Sequence, residues 1–201
     1  FYFYFIYVCL KARSFFFFSA ANPSIETGGM FFESKWKIFE LIPKQYYPAT
    51  IYVDPADDLQ SAIQKMTAAG IEFPVIAKPD RGERGWRVKK INNIVELEAY
   101  KKIIAIPFLL QAYADYPLEF SIFYYRHPNS DKGNVTSVTL KKLLSVTGDG
   151  TSTIEQLIER NDRAFLQSVT LKQNEQINFS RVLENGQEEI LVPYGNHVRG
   201  A

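Results

Sequence analysis

Phe73–Val88 reads FPVIAKPDRGERGWRV, and the fold turns on how this stretch is read. Val75, Ile76 and Ala77 form a short apolar run. Lys78 stands at its end, and the strand is expected to stop at Pro79, which has no N–H to give a neighbouring strand. The run reads as a strand, Phe73–Lys78, with a second strand at Arg87–Ile91, so the pair resembles a hairpin. A lysine at the inner end of a buried strand is costly unless an anion meets it. A nucleotide phosphate and a structural carboxylate would both serve. The connecting loop, Asp80-Arg81-Gly82-Glu83-Arg84-Gly85, carries two glycines three apart. Glycines let backbone N–H groups come close to phosphate oxygens. A solvated hairpin tip of mixed charge is the alternative. No Gly-Lys-Ser/Thr follows, so this is not a Walker loop. Nor does a helix follow, as a dinucleotide fingerprint would require.

The surrounding segments set this hairpin in an α+β chain. Upstream, Phe15–Ala20 reads as a short buried strand because it is continuous and aromatic. Asn22-Pro23 and Thr27-Gly28-Gly29 are turn signals, equally suited to a substrate-side loop or a tight structural turn. Ser34 is placed to cap a helix running to Leu41. Thr50–Val53 predicts a strand. Asp57–Ala69 predicts an amphipathic helix with Leu59, Ile63 and Met66 on one side and Gly70 at its end. Downstream, Ile94–Lys102 predicts a helix, and strands are expected at Phe108–Ala112, Leu118–Arg126 and Asn134–Lys141. Gly148-Asp149-Gly150 reads as a turn, with Ser152 or Thr153 capping a helix to Arg160. A polar helical stretch and a hairpin at Asn185-Gly186 follow. Runs of strands with flanking helices imply mainly antiparallel sheets.

Composition narrows the function classes. The 201 residues carry 23 Lys+Arg against 22 Asp+Glu, so net charge gives no support to bulk nucleic-acid binding. One cysteine, Cys9, excludes an internal disulfide, fits a reducing cytoplasm and reads as packing. The opening FYFYFIYVCL is too short for a membrane span of about 20 residues. Its basic residues, Lys11 and Arg13, follow the apolar run, opposite to a signal peptide. The run reads as the cut end of a longer chain, with the tail of a membrane helix as the alternative. The ending Asn196–Ala201 also looks like a truncation. Three further residue groups are read as structural or undecided. His127 reads as a surface histidine. His197 is undecided between the surface and the substrate end. Phe120, Phe123, Tyr124 and Tyr125 read as core rather than as a base-stacking platform.

Two more segments matter for chemistry. In Leu110–Glu119 a strand ends at Gln111, and Glu119 opens the next. Such a link can present backbone groups to an adenine edge and an acid to ribose hydroxyls. A plain loop with a surface acid fits the residues as well. The second is Val146-Thr147-Gly148-Asp149-Gly150-Thr151-Ser152-Thr153-Ile154.

Together, Lys35, the KP-x-x-G-x-x-G stretch from Lys78 to Gly85, Gln111 with Glu119, and the V-x-G-D-G-x-S-T-I stretch resemble the ATP-grasp superfamily. The likeness is to its carboxylate–amine ligases, the group that includes D-alanine–D-alanine ligase and cyanophycin synthetase. It covers roughly residues 28–201. The resemblance implies two α+β lobes with antiparallel sheets enclosing an ATP cleft. On this reading residues 1–30 are a remnant of an N-terminal region, 31–112 the lobe with the glycine loop, and 113–201 the start of an incomplete C-terminal lobe.

The resemblance also implies roles. Lys35 and Lys78 would contact ATP phosphates, and Gly82 and Gly85 would belong to a loop closing over them. Gln111, Ala112 and Tyr113 would lie at the adenine, and Glu119 at the ribose. Lys141, with Lys142 as the alternative, would reach the γ-phosphate. Arg199 would approach the transferred phosphoryl group or the substrate carboxylate. ATP and Mg2+ are the implied cofactors, with the metal ligands expected downstream of this chain and Asp149 not among them. The implied partners are a small carboxylate substrate and an amine acceptor. Nucleic acid and a membrane span are not expected, and the location expected is cytoplasmic. The chain itself is expected to bind nucleotide weakly and not to turn over. An ATP-dependent small-molecule kinase and a non-catalytic nucleotide-binding module are the rival readings.

Overall fold

The computed structural model describes residues 1–116, 118–173 and 177–192. The chain divides into two compact units, Phe1–Ala114 and Asp115–Ala201. Both are mixtures of helix and antiparallel strand, an α+β fold.

The first unit is built on a four-stranded antiparallel sheet. Its strands are β1 (Thr50–Val53), β2 (Val75–Pro79), β3 (Lys89–Ile91) and β4 (Phe108–Ala112), in the order β1-β4-β2-β3. Burial alternates along β1 and β2, as the two-residue period of a strand requires. Ile51, Val53, Val75, Ala77, Ile91, Phe108 and Leu110 point to one face. There they meet α3 (Leu59–Ala68), through Ala62 and Met66, and α4 (Ile94–Ile103), through Leu97 and Tyr100. Truncating a buried leucine in such a core costs about 2–5 kcal/mol. Asp58 and Asn93 cap these helices by accepting from the N–H groups of Ser61 and Glu96. With α3 and α4 on one side, the register leaves Thr50, Tyr52, Ile76, Lys78, Lys90, Leu109 and Gln111 on the other.

That second face carries the short helix α2 (Lys35–Glu40). Trp36 lies 5.8 Å from the Tyr52 ring, and Phe39 stacks on Tyr47 at 4.6 Å. The predicted cap is in place: Ser34 Oγ accepts from Lys37 N–H. Strand β2 runs to Pro79, one residue past the expected stop, because Pro79 sits opposite Phe108. The expected strand at Phe15–Ala20 is replaced by a 3₁₀ turn, Phe17–Ala21, that pairs with no sheet. Aromatic continuity marked the segment as apolar but did not supply a neighbouring strand. The helix before it, α1 (Tyr2–Ala12), buries Cys9, as read from the sequence. Asn22 to Gly29 is a tight structural turn. Asn22 Nδ2 donates to the Gly28 carbonyl at 3.0 Å. A Cβ on Gly28 would stand 2.4 Å from Ser19 Cα.

Among the described residues, the second unit contains two separate two-stranded pairings. Strands β5 (Glu119–Tyr125) and β6 (Asn134–Lys141) form a hairpin with a register shift at Phe123/Tyr124. Every residue of β5 is exposed, so the aromatic stripe read as core is not buried. Pairing joins Phe120 to Leu140 and Ile122 to Val138 on one face, while Ser121 and Thr139 share the other. The pattern for an inward face is present, but among the described residues no helix covers it as α3 and α4 cover the larger sheet.

Strand β7 (Ser145–Thr147) pairs with β8 (Glu188–Ile190). The hairpin expected at Asn185-Gly186 is therefore a turn leading into a long-range pairing. Helices α5 (Ile154–Arg160), α6 (Asp162–Phe165) and α7 (Ser168–Leu171) bury Ile154, Leu157, Ile158, Ala164 and Leu171 against Leu144, Val146 and Leu183.

Candidate functional site: a lysine-bearing sheet face

The first unit gathers the candidate residues on the sheet face opposite its main core. Lys78 Nζ donates to Gln111 Oε1 at 2.8 Å, and Gln111 Nε2 donates to Thr50 Oγ1 at 2.7 Å. The Lys78 ammonium also lies 5.3 Å from the centre of the Phe39 ring. Among the described residues no carboxylate pairs with it. The structural-carboxylate alternative for Lys78 is thus not realised. Burial, and then the nearby charge of Lys35, pushes the Lys78 ammonium down to about 8. Desolvation disfavours the charged form, and a neutral carboxamide offsets only part of that cost.

Lys35 projects from the first turn of α2 toward the glycine loop. Its Nζ donates to the carbonyls of Gly82, at 2.7 Å, and Asp80, at 3.2 Å. Burial also lowers the Lys35 ammonium from its usual range, against the opposing charges of Asp80, Glu33 and Glu83. Glu33 Oε2 is buried without a hydrogen-bond partner.

Asp80 organises the junction. Its Oδ1 accepts from Ser34 Oγ at 3.0 Å and from Trp36 N–H at 2.8 Å. Its carbonyl accepts from Lys35 N–H, and its own N–H donates to Pro107. The carboxylate is thereby spent on the start of α2, which leaves the two lysines without it as a direct partner. Caps of this kind contribute about 0.5–2 kcal/mol.

The glycine loop is folded onto the segment before α2. Glu83 Oε1 accepts from Phe32 N–H at 3.2 Å, and Arg81 bridges the Phe32 carbonyl and Glu26. Gly82 has φ +155° and Gly85 +69°, conformations in which side chains are strained. A Cβ on Gly82 would also come within 3.2 Å of the Trp86 ring. Both glycines are thus required by the shape of the loop, whatever it binds. Lys35 holds the loop by two of its carbonyls, so an anion that drew Lys35 away would release those ties.

The adenine-edge residues are differently placed. Ala112 N–H donates to Ala49 at 2.8 Å, and Tyr113 N–H to Pro74 at 3.3 Å. Both donors are engaged within the protein. The sequence reading missed Lys90, whose ammonium lies 3.7 Å from the centre of the Tyr113 ring. Lys90 pairs with Ile76 and so shares a face with Lys78. Alternation with buried Ile91 was the available signal, but the register of β3 against β2 was needed to use it. Phe39 was missed as a neighbour of Lys78 because it reaches the lysine from α2, which packs on that sheet face.

In the second unit Glu119 and Lys141 face each other across the β5–β6 hairpin, at 2.5 Å. Lys142 is exposed. Arg199 and His197 lie outside the described residues.

The Gly-Asp-Gly turn, the most specific motif in the sequence, is an architectural device. Asp149 Oδ1 accepts from the N–H groups of Thr151 and Ser152, and Oδ2 accepts from Ser152 Oγ and Arg160. The Ser152 bonds, followed by those of Thr151, hold its carboxyl well below the usual carboxylate range. Thr153 and Gln156 form a reciprocal capping box at the start of α5. A Cβ on Gly148 would stand 2.2 Å from the Glu184 carbonyl oxygen. Among the described residues no group of three or more His, Cys, Asp or Glu side chains converges as a metal site, so no residue is assigned to magnesium.

No protein-family model and no curated protein matches the chain. Among solved structures it is similar to the crystal structure of a bifunctional glutathione synthetase from Pasteurella multocida. Identity is 16%, the match covers 83% of this chain and 24% of that one, and the TM-score is 0.33. The chain thus spans about a quarter of the length of that protein.

Proposed function

We propose that the Lys78-bearing face of the four-stranded sheet, beside α2, holds the phosphates of ATP, and that the chain is the nucleotide-binding part of an ATP-grasp ligase joining a carboxylate to an amine. The observation that carries the proposal is Lys78. Its ammonium is half-buried near a second lysine and meets a neutral carboxamide and a ring rather than a carboxylate. A polyphosphate would supply the missing negative charge, and its binding would raise the Lys78 pKa again. Lys35 would exchange its loop carbonyls for phosphate oxygens, and the glycine loop would settle over them. Lys90, beside Tyr113, would extend the cationic face toward the base.

ATP would supply the phosphoryl group that converts a carboxylate into an acyl phosphate, which an amine then displaces. Lys35 and Lys78 would bind and orient the phosphates, and their charge would offset the negative charge spread over the phosphoryl oxygens. Glu119 and Lys141 would separate to meet ribose and γ-phosphate, and Arg199 would meet the substrate carboxylate. The proposed lobes are residues 31–112 and 113–201.

Calorimetric titration of the chain with ATP tests the site. Lys78→Met should weaken binding about 10–100-fold, the worth of a charge-assisted hydrogen bond. At pH 8 the wild type should also take up protons on binding, seen as a heat that depends on buffer ionisation and is lost in the variant. Unchanged affinity in Lys78→Met would remove the assignment. Release of ADP that requires both a carboxylate and an amine, measured on the full-length protein, separates a ligase from a kinase.

A further inference from the structure

Helix α1 inverts the usual arrangement of a surface helix. Phe5, Val8 and Cys9 turn toward the protein, and Phe5 meets the Phe17 ring at 5.7 Å. The opposite stripe, Phe3, Ile6, Tyr7 and Leu10, has helical i, i+3, i+4, i+7 spacing and is exposed. Phe3 is 90% exposed and Leu10 71%, where a water-facing helix would carry charges. Phe15 and Phe16, which follow the helix in sequence, are also exposed, at 73% and 71%. Contiguous apolar surface of this kind marks an interaction site.

Charge identifies the partner. Lys11 and Arg13 sit at the end of the stripe, and the first acidic residue of the chain is Glu26. Apolar side chains with basic neighbours and no acid complement anionic lipid headgroups above acyl chains. Tyr2, Tyr4 and Tyr7 add rings with an apolar body and a polar tip, which favour the headgroup level. No helix among the described residues is long and apolar enough to cross a membrane.

We infer that α1 and Phe15-Phe16 form a docking surface for an anionic lipid bilayer. The inference is independent of the nucleotide site. Co-sedimentation of the chain with vesicles tests it, comparing phosphatidylcholine alone with phosphatidylcholine mixed with phosphatidylserine. The chain should pellet with the mixed vesicles and much less with the neutral ones. Lys11→Gln with Arg13→Gln should lower partitioning onto the mixed vesicles about thirtyfold. Phe3→Ser, Ile6→Ser and Tyr7→Ser together should abolish it, with an unchanged circular dichroism melt showing that the fold survives. Failure to pellet with either vesicle, or pelleting unaffected by the serine substitutions, would overturn the inference. So would a dimer in light scattering that the serine variant converts to monomer without any vesicle binding, since the face would then meet a second copy.

Discussion

The Lys78 sheet face and the Asp149 turn each centre on a charged side chain in a glycine-bearing stretch, yet they are completed in opposite ways. Asp149 receives donors from Thr151, Ser152 and Arg160, and its negative charge is fully answered within the turn. Lys78 receives one carboxamide oxygen and a ring, while its nearest charge influence is another lysine. A charge answered locally serves architecture. Among the described residues Lys78 is left without a counterion, and burial, then the charge of Lys35, depresses its pKa.

The comparison breaks most sharply at Gly148. Gly148→Val would drive a side chain into the backbone at Glu184 and should destabilise the second unit by about 3 kcal/mol or more, read from urea unfolding. A tolerated valine would mean that the turn is not held by that close approach. Next comes Lys78→Met, which should have the opposite sign. The ordinary Lys78 pKa of 10.5 falls to about 8 in the folded protein, so between these values the unfolded chain binds more protons. Stability should therefore rise with pH across that window, by roughly 3 kcal/mol in full, and the full penalty is present below pH 8. Methionine removes the charge, so at pH 7 the variant should be more stable than wild type by about 1–3 kcal/mol and show no such rise. Matching pH profiles for the two proteins would place the depressed pKa elsewhere.

Asp149→Asn sharpens the other side. The folded carboxyl is depressed, so its contribution is present above the unfolded value near 4 and is lost as pH falls below it. Wild type should lose melting temperature on acidification from neutral pH, and the variant should lose less. Equal acid sensitivity would mean that Asp149 is not a principal acid-labile link. The smallest effect belongs to the Glu119–Lys141 pair. A double-mutant cycle with Glu119→Gln and Lys141→Met should return a coupling of about 0.2–1 kcal/mol, as exposed pairs do. A coupling several times larger would mark the pair as structural and count against its parting to meet a nucleotide.

The sequence reading was most successful where the governing interactions span a few residues. Ser34 and Thr153 cap the helices they were expected to cap, and the Thr50–Val53 and Phe108–Ala112 strands stand where expected. It failed at Phe15–Ala20 and at Asn185-Gly186, where strand character depended on finding a partner. It also failed at Phe120–Tyr125, where burial depended on a cover. In the candidate site, Lys35, Lys78, Gly82 and Gln111 were legible as types of residue, whereas Lys90 and Phe39 were not.

By itself, then, the sequence determined the elements, their caps and the positions at which charge and glycine interrupt an apolar strand. These follow from preferences of neighbouring residues along one chain. Tertiary structure alone decided which charges were answered. Lys78 meets Gln111 across a separation of 33 residues, and Gly148 is required by the backbone at Glu184. Satisfaction of a buried charge depends on every group within a few ångströms, and only strand register brings those groups together.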